Sequence, residues 1–237
     1  SAPRIMPRYA GRTDGIQARR LDAPGGFVSK TREKRGPMDS EDAIMVPPEL
    51  VKRLTERLGN RTVVFVGLMG AGKTAIGRKV AAVLGLPFVD SDHEIERAAR
   101  MTIPELFEAY GEPEFRALEQ RVIQRVLEGG PQILSTGGGA YMNDQTRALI
   151  AQGSISVWLK AELDVLFARV SKKQNRPLLK TANPRAALEQ LMNLRYPVYA
   201  EANITVPTRD EKKEVIVAEV LDALDAYLDA ESRSTVQ

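Results

Sequence analysis

Hydrophobic and polar residues follow one another along the chain in blocks that predict strands separated by helices. Short apolar runs rich in β-branched residues are typical of buried strands, and apolar residues three or four apart are typical of amphipathic helices. Strands that alternate with helices form a parallel sheet covered on both faces, so we predict one α/β domain. The five predicted strands are 63–66, 86–89, 132–136, 155–159 and 204–206.

Local signals mark several helix boundaries. Ser91 followed by Glu94 matches a capping box, which predicts that Ser91 caps a helix running to about residue 100. Thr102 followed by Glu105 opens another helix in the same way, and a longer helix is predicted over 114–127. The last helix is predicted over residues 212–228.

The first 45 residues differ in composition from the rest of the chain. They are rich in Gly, Pro and Arg and have no sustained apolar period, which predicts a disordered segment. Residues 1–37 contain nine Lys or Arg and three Asp or Glu, which gives them a charge of +6. Since the net charge of the whole chain is +3, the remaining residues carry a net charge of −3. The basic character therefore belongs to the extension and does not indicate nucleic-acid binding. An Arg-rich transit peptide is the alternative interpretation. The folded domain is predicted over 46–232.

The composition of the chain bears on the cellular compartment in which the protein acts. The chain contains no cysteine, which excludes disulfides and thiolate metal sites and fits a reducing cytoplasm. No apolar run approaches the roughly 18 residues that suggest a membrane span, and the extension lacks the apolar core of a secretory signal. We expect a cytoplasmic monomer with neither nucleic acid nor membrane as its partner.

The segment Gly67–Thr74 reads GLMGAGKT and fills the pattern GxxxxGK[ST] at every fixed position. It follows a predicted strand and opens a helix, which is the context of a phosphate-binding loop. Glycines let backbone N–H groups surround an anion, and the helix N-terminus adds positive charge. Lys73 is expected to reach the terminal phosphates of a nucleoside triphosphate, and the Thr74 hydroxyl to bind Mg²⁺. The predicted nucleotide-binding residues of the loop are Gly70, Ala71, Gly72, Lys73, Thr74 and Ala75.

Two carboxylates follow the second predicted strand. Asp90 and Asp92 are two residues apart, so on an extended stretch both would face the same side. Ligands of parallel sheets bind beyond the carboxyl ends of the strands, where the phosphate loop also lies. One carboxylate can hold Mg²⁺ through water while the other accepts a hydrogen bond from a hydroxyl; a pair of helix N-cap residues is the alternative. We predict one Mg²⁺ ion, bound with ATP, at Thr74 and Asp90.

Five short motifs extend this pattern in a fixed order. They are DSD at 90–92, EFR at 114–116, GGG at 137–139, NRPLL at 175–179 and LRYPVY at 194–199. Together with the phosphate loop, the set resembles the shikimate kinases over about 61–206, because sibling kinases do not share DxD, FR and GGG together. The resemblance implies a P-loop NTPase fold of nucleoside-monophosphate-kinase type. This fold is a three-layer α/β/α structure with a five-stranded parallel sheet and a mobile lid, here at about 171–184.

The resemblance also implies roles for residues at the substrate. Asp92 would hold the reacting ring hydroxyl, either as the proton acceptor or only as an orienting group. Arg116 and Arg195 would bind the shikimate carboxylate, and Glu119 would orient the first of these arginines. The backbone of the triple glycine would contact a substrate hydroxyl. The implied substrate-binding residues are Asp92, Arg116, Gly137, Gly138, Gly139 and Arg195.

Two further arginines are implied at the nucleotide. Arg176, in the predicted lid, would reach the phosphates and join Lys73 and Asp92 as a catalytic residue. Arg169 resembles the residue that stacks on adenine. The lid segment is polar and basic and contains prolines, as expected of a loop that closes over ATP and excludes water.

The implied activity is transfer of the γ-phosphoryl group of ATP to the 3-hydroxyl of shikimate, a step in the biosynthesis of chorismate and the aromatic amino acids. Two alternatives stay open. One is a sibling kinase that acts on another small polyol acid such as gluconate, against which the motif set argues. The other is a P-loop protein that binds nucleotide as a regulatory or scaffold switch, against which the intact Asp92, Arg116 and Arg195 argue.

Overall fold

The computed structural model describes residues 46–172 and 181–234 of the chain. Its five strands are β1 (Thr62–Val66), β2 (Phe88–Asp90), β3 (Ile133–Ser135), β4 (Ser154–Ala161) and β5 (Ile204–Thr208). They form one sheet in the order β2-β3-β1-β4-β5, and every neighbouring pair is parallel. The five-stranded parallel sheet predicted from the hydrophobic pattern is confirmed.

Helices cover both faces of this sheet. They are α1 (Pro48–Leu58), α2 (Lys73–Leu84), α3 (Ser91–Ala99), α4 (Ile103–Leu127), α5 (Asp144–Gly153), α6 (Leu163–Ser171), α7 (Pro184–Tyr199) and α8 (Lys213–Ser234). Helices α1, α2 and α8 contact one another, α4 contacts α5, and each group contacts strands. The fold is therefore the three-layer α/β/α arrangement. None of the described helices has the length and apolar character that crossing a membrane requires.

The strand order determines where a ligand can bind. β1 and β3 are neighbours, but the chain leaves β1 toward one edge of the sheet and leaves β3 toward the other. In parallel sheets, such a reversal opens a crevice beyond the carboxyl ends of the two strands. The phosphate loop follows β1 and the triple glycine follows β3. The crevice is therefore lined by two of the motifs that the sequence singles out.

One of the local predictions needs correction. The N-cap of α3 is Asp90, whose side chain accepts a hydrogen bond from the Asp92 N–H at 3.1 Å, and Ser91 lies inside the helix. The predicted capping box at Ser91 is therefore wrong, because Asp90 is still extended as the last residue of β2. The separate helices predicted from Thr102 and over 114–127 are the two parts of α4, which a kink at Gly111 with φ 78° divides.

Helix α1 is attached to α8 by ion pairs. Arg53 lies 2.6 Å from Asp225, Arg57 pairs with Asp229, and Arg61 lies 2.6 Å from a glutamate near the end of α8. Arg53 and Arg57 are four residues apart and lie on one face of α1, and Arg61 follows the end of the helix. These contacts join segments about 170 residues apart in sequence.

Candidate active site

A cavity with a volume of about 790 Å³ opens at the carboxyl ends of β1, β2 and β3. Its lining brings together the phosphate loop, the residues after β2 and the first part of the triple glycine. The predicted site residues among its lining are Gly70, Ala71, Gly72, Lys73, Thr74, Ala75, Asp90, Asp92, Gly137, Gly138 and Arg169.

The phosphate loop joins β1 to α2. Gly72 occupies the N-cap position of α2 with φ 102°, a conformation that residues with a Cβ rarely adopt. The Lys73 side chain is buried, and its Nζ donates to the carbonyl oxygens of Gly67 at 2.8 Å and Leu68 at 3.0 Å. The loop therefore places an ammonium group and the N-terminus of α2 at the same point of the cavity.

The hydroxyl of Thr74 lies at the wall of the cavity. Its Oγ1 donates to Oδ2 of Asp90 at 3.0 Å and lies 3.4 Å from the Ser135 Oγ. These are oxygen ligands of the kind that Mg²⁺ prefers. No group of three or more acidic, histidine or cysteine side chains suited to a metal occurs within 46–172 and 181–234. The sequence analysis missed Ser135, although its position at the end of a predicted strand points to this crevice.

Asp92 lies in the first turn of α3 and lines the same cavity. Asp92 is helical, so the prediction that it lies on an extended stretch with Asp90 is wrong. Both carboxylates nevertheless line the cavity. Burial raises the pKa of Asp92, the charge of Asp90 raises it further, and Lys73 opposes the change. The site therefore holds a carboxylate that is more basic than one in water.

The triple glycine lies against functional side chains because it has no side chains of its own. A Cβ on Gly137 would be 2.8 Å from Oδ1 of Asp92 and 3.1 Å from Oε1 of Glu119. A Cβ on Gly139 would be 2.7 Å from Nη1 of Arg116. Any other residue at these two positions would displace a carboxylate or a guanidinium group.

Arg116 is held by two acidic side chains of α4. Its Nη1 lies 2.6 Å from Oε2 of Glu119, and its Nη2 lies 3.1 Å from Oε1 of Glu112. Burial alone would lower the pKa of Arg116, but the two carboxylates raise it overall, so the guanidinium stays charged. Burial raises the pKa of Glu119, reinforced by Asp92, against the opposite effect of Arg116.

The two predicted carboxylate-binding arginines line one cavity. Arg116 and Arg195 contribute, with Gly139 and Glu112, to the wall of a second cavity of about 310 Å³. Arg195 belongs to α7, and its Nη1 donates to the Gly138 carbonyl at 2.9 Å. The triple glycine therefore lies between the cavity of the phosphate loop and the cavity of the arginines.

Of the two arginines predicted to contact the nucleotide, only one lies within the described residues. Arg169 lines the larger cavity, and its guanidinium donates to the carbonyl oxygens of Gly70 at 3.3 Å and Arg209 at 2.6 Å. Arg176 lies outside the described residues, as do residues 173–180 of the predicted lid.

Two buried hydroxyl groups that the sequence analysis did not assign to the site contact the triple glycine. Ser91, fully buried, accepts the Gly137 N–H at 3.0 Å, and the Tyr199 hydroxyl donates to the Gly138 carbonyl. The only signal for either residue was its position inside a motif, DSD or LRYPVY.

The chain matches known proteins over this whole region. The family model for shikimate kinase matches residues 69–225. A shikimate kinase of Mesorhizobium japonicum is 72% identical over 178 residues, which cover 75% of this chain and 88% of that protein. One from Rhizobium leguminosarum bv. trifolii is 60% identical over 185 residues, which cover 78% and 94%.

A solved structure agrees with these sequences. The shikimate kinase from Acinetobacter baumannii in complex with shikimate superposes with a TM-score of 0.67 at 36% identity, covering 71% of this chain and 95% of that one. The range of the family model, residues 69–225, contains most of the phosphate loop, both carboxylates after β2, the triple glycine and both arginines of the smaller cavity. The chain therefore belongs to the shikimate kinase family, ATP-dependent kinases of aromatic amino acid biosynthesis.

Proposed function

We propose that this chain transfers the γ-phosphoryl group of ATP to the 3-hydroxyl of shikimate, giving shikimate 3-phosphate and ADP. One observation carries the proposal: Gly138 lines the cavity of the phosphate loop, and its carbonyl accepts a hydrogen bond from Arg195, which lines the cavity of the arginines. In this proposal, the phosphoryl donor binds in the first cavity and the carboxylate of the acceptor binds in the adjacent cavity of the arginines.

The nucleotide half of the proposal rests on the phosphate loop. Backbone N–H groups of residues 70–75 surround the phosphates, and Lys73 neutralises charge on the terminal ones. Arg169, held at the rim of the loop by Gly70 and Arg209, stacks on the adenine ring. Arg176 reaches the phosphates from the lid and stabilises the charge that develops during transfer.

Thr74 and Asp90 would hold one Mg²⁺ ion that binds together with ATP. Their oxygens lie 3.0 Å apart at the cavity wall, and kinase sites combine one or two such ligands with phosphate oxygens and water. When bound, the ion neutralises phosphate charge and orients the phosphates.

The acceptor half of the proposal assigns each group one task. Arg116 and Arg195 bind the carboxylate of shikimate, since a guanidinium fork matches two carboxylate oxygens. The backbone of Gly138, flanked by Gly137 and Gly139, contacts a ring hydroxyl. Asp92 accepts the hydrogen bond and then the proton of the reacting hydroxyl, for which its raised pKa suits it.

The proposal extends to the setting of the protein. We propose that it acts in the cytoplasm as a monomer on ATP and shikimate, with neither nucleic acid nor membrane as a partner. Size-exclusion chromatography with light scattering measures the mass directly, and a mass near 26.1 kDa supports the monomer.

A coupled ADP-release assay tests the proposed activity. The full chain is incubated with MgATP and, in separate reactions, with shikimate, gluconate, other hydroxy acids or no acceptor. We expect ADP release that depends on shikimate and is far slower with every other acceptor. Faster release with gluconate would indicate a sibling kinase. Tight ATP binding without turnover of any acceptor would indicate a nucleotide-binding switch.

A further inference from the structure

The backbone of the triple glycine needs external support to present a fixed surface. Glycine has the greatest backbone freedom of all residues, and three in a row have no side chains to restrict them. A binding site is effective when its polar groups are held in place before the ligand arrives. The hydrogen bonds that other elements make to this loop therefore determine its orientation.

Two donors from α7 meet on one carbonyl of the loop. The Gly138 oxygen accepts from Arg195 Nη1 at 2.9 Å and from the Tyr199 hydroxyl. The two side chains are four residues apart, so they lie on the same face of the helix. A carbonyl oxygen has two lone pairs, and here both are used.

The side chain of Tyr199 is held by its packing, whereas the side chain of Arg195 is long and has more rotatable bonds. Tyr199 is one of the largest fully buried side chains of the described chain, at 0% exposure. Its ring packs 6.0 Å from Trp158 and 6.3 Å from both Tyr141 and Tyr196, centroid to centroid. Burial raises the pKa of Tyr199, so its hydroxyl keeps the proton that it donates.

The other side of the loop is fixed as well. The Gly137 N–H donates to the buried Ser91 at 3.0 Å, and the Gly137 carbonyl accepts from the Ala140 N–H at 3.2 Å. Together with the hydrogen bond from Tyr199 to the Gly138 carbonyl, these bonds hold the peptide group before Gly137 and the peptide group after Gly138. The position of the Gly138 backbone then depends on α7 at one end and α3 at the other.

We propose that Tyr199 is a positioning residue of the acceptor site, whose hydroxyl fixes the Gly138 carbonyl and so aligns the backbone that contacts the acceptor. The inference rests on the proposed function, because it assumes that the acceptor contacts Gly138. Tyr199 acts through this backbone group. Because Tyr199 also holds the Gly138 carbonyl, the loop keeps its position when Arg195 binds a carboxylate.

Tyr199→Phe tests the proposal, and Tyr196→Phe is its matched control. Each change removes one hydroxyl that donates to a backbone carbonyl, at Gly138 for Tyr199 and at Ala161 in β4 for Tyr196. Both keep the ring and therefore the aromatic packing. We expect Tyr199→Phe to raise the shikimate KM by about 2- to 12-fold, the value of one hydrogen bond. The ATP KM should stay unchanged, and Tyr196→Phe should alter neither constant.

A second measurement does not depend on turnover. Amide hydrogen exchange of residues 136–140 should be faster in Tyr199→Phe than in the wild type or in Tyr196→Phe. Equal effects of the two variants on the shikimate KM, equal effects of Tyr199→Phe on both substrates, or unchanged exchange would each refute the positioning role. A wild type that does not turn over shikimate would refute the proposed function instead, so the two failures are distinguishable.

Discussion

The side chains of Arg116 and Glu119 form an ion pair within one face of α4, with 2.6 Å between Nη1 and Oε2 and with Glu119 only 2% exposed. Two guanidinium groups that share a cavity would otherwise repel each other. Glu119 and Glu112 offset the charge of Arg116 and set its direction. The pairing of Arg116 with Arg195 is therefore not by itself a sign of an anionic ligand, and the substrate class must be tested directly.

Arg116→Lys tests the carboxylate contact. Lysine keeps the charge but loses the fork, and a charge-assisted hydrogen bond is worth roughly 1.5–3 kcal/mol. We expect shikimate affinity to fall by at least about tenfold, with ATP affinity unchanged, as measured by calorimetry. Arg121→Lys is the matched control on the same helix, since Arg121 is exposed and donates to the Ala117 carbonyl.

A shikimate analogue with a neutral hydroxymethyl group in place of the carboxylate completes this test. The wild type should bind it poorly, and Arg116→Lys should add little to that loss, because the interaction is already gone. If the two losses are instead fully additive, Arg116 does not contact the carboxylate.

Asp92→Asn tests the acceptor of the hydroxyl proton. Asparagine keeps the shape of the side chain but cannot take up a proton, and general bases contribute about 10²–10⁴-fold to rates. We expect kcat to fall at least about a hundredfold in steady-state assays, while ATP affinity stays nearly constant because the phosphate loop is untouched. Near-normal turnover would leave Asp92 with an orienting role only.

Asp90→Asn tests the proposed metal residue. Removing its charge should raise the Mg²⁺ concentration at half-saturation by about tenfold or more, both in turnover and in calorimetric titrations of ATP binding. Asp210→Asn is the control, because Asp210 is an exposed acid that lines the same cavity beside Thr208. Equal shifts in the two variants would assign the effect to the net charge of the cavity.

Two truncations test the domain boundary. No proposed site residue lies before Gly70, so removal of residues 1–45 should change kcat by less than about twofold. Removal of residues 1–60 also deletes α1, in which Leu54 and Leu58 are buried, each worth about 1.5–3 kcal/mol. We expect only the second truncation to lower the Tm markedly. A large loss of kcat in the first, with the far-ultraviolet spectrum intact, would show that the extension contributes to activity.

The sequence was sufficient for those parts of the fold that depend on local patterns. The strands are short apolar runs, and the phosphate loop and the Thr102 capping box are contiguous motifs. The choice between Asp90 and Ser91 as N-cap was not local, because both residues are good caps. The pairing of Asp90 with Ser135 in the sheet keeps Asp90 extended and moves the start of the helix.

The hydrogen bonds that support the site could not be predicted from the sequence, because they join residues that are far apart along the chain. Tyr199 and Gly138 are 61 residues apart, and Ser91 and Gly137 are 46 apart. Nothing in either segment alone indicates the other. Arg53 and Asp225 likewise form an ion pair although they are 172 residues apart in sequence.

Identification of the reaction product tests the central claim most directly. The full chain is incubated with shikimate and MgATP, and the product is analysed by phosphorus NMR and mass spectrometry. We predict one phosphate ester on the 3-hydroxyl of shikimate, formed in equal amount to ADP. Release of inorganic phosphate without an ester, or an ester on a different hydroxyl, would contradict the proposed alignment of Asp92, Gly138 and the two arginines.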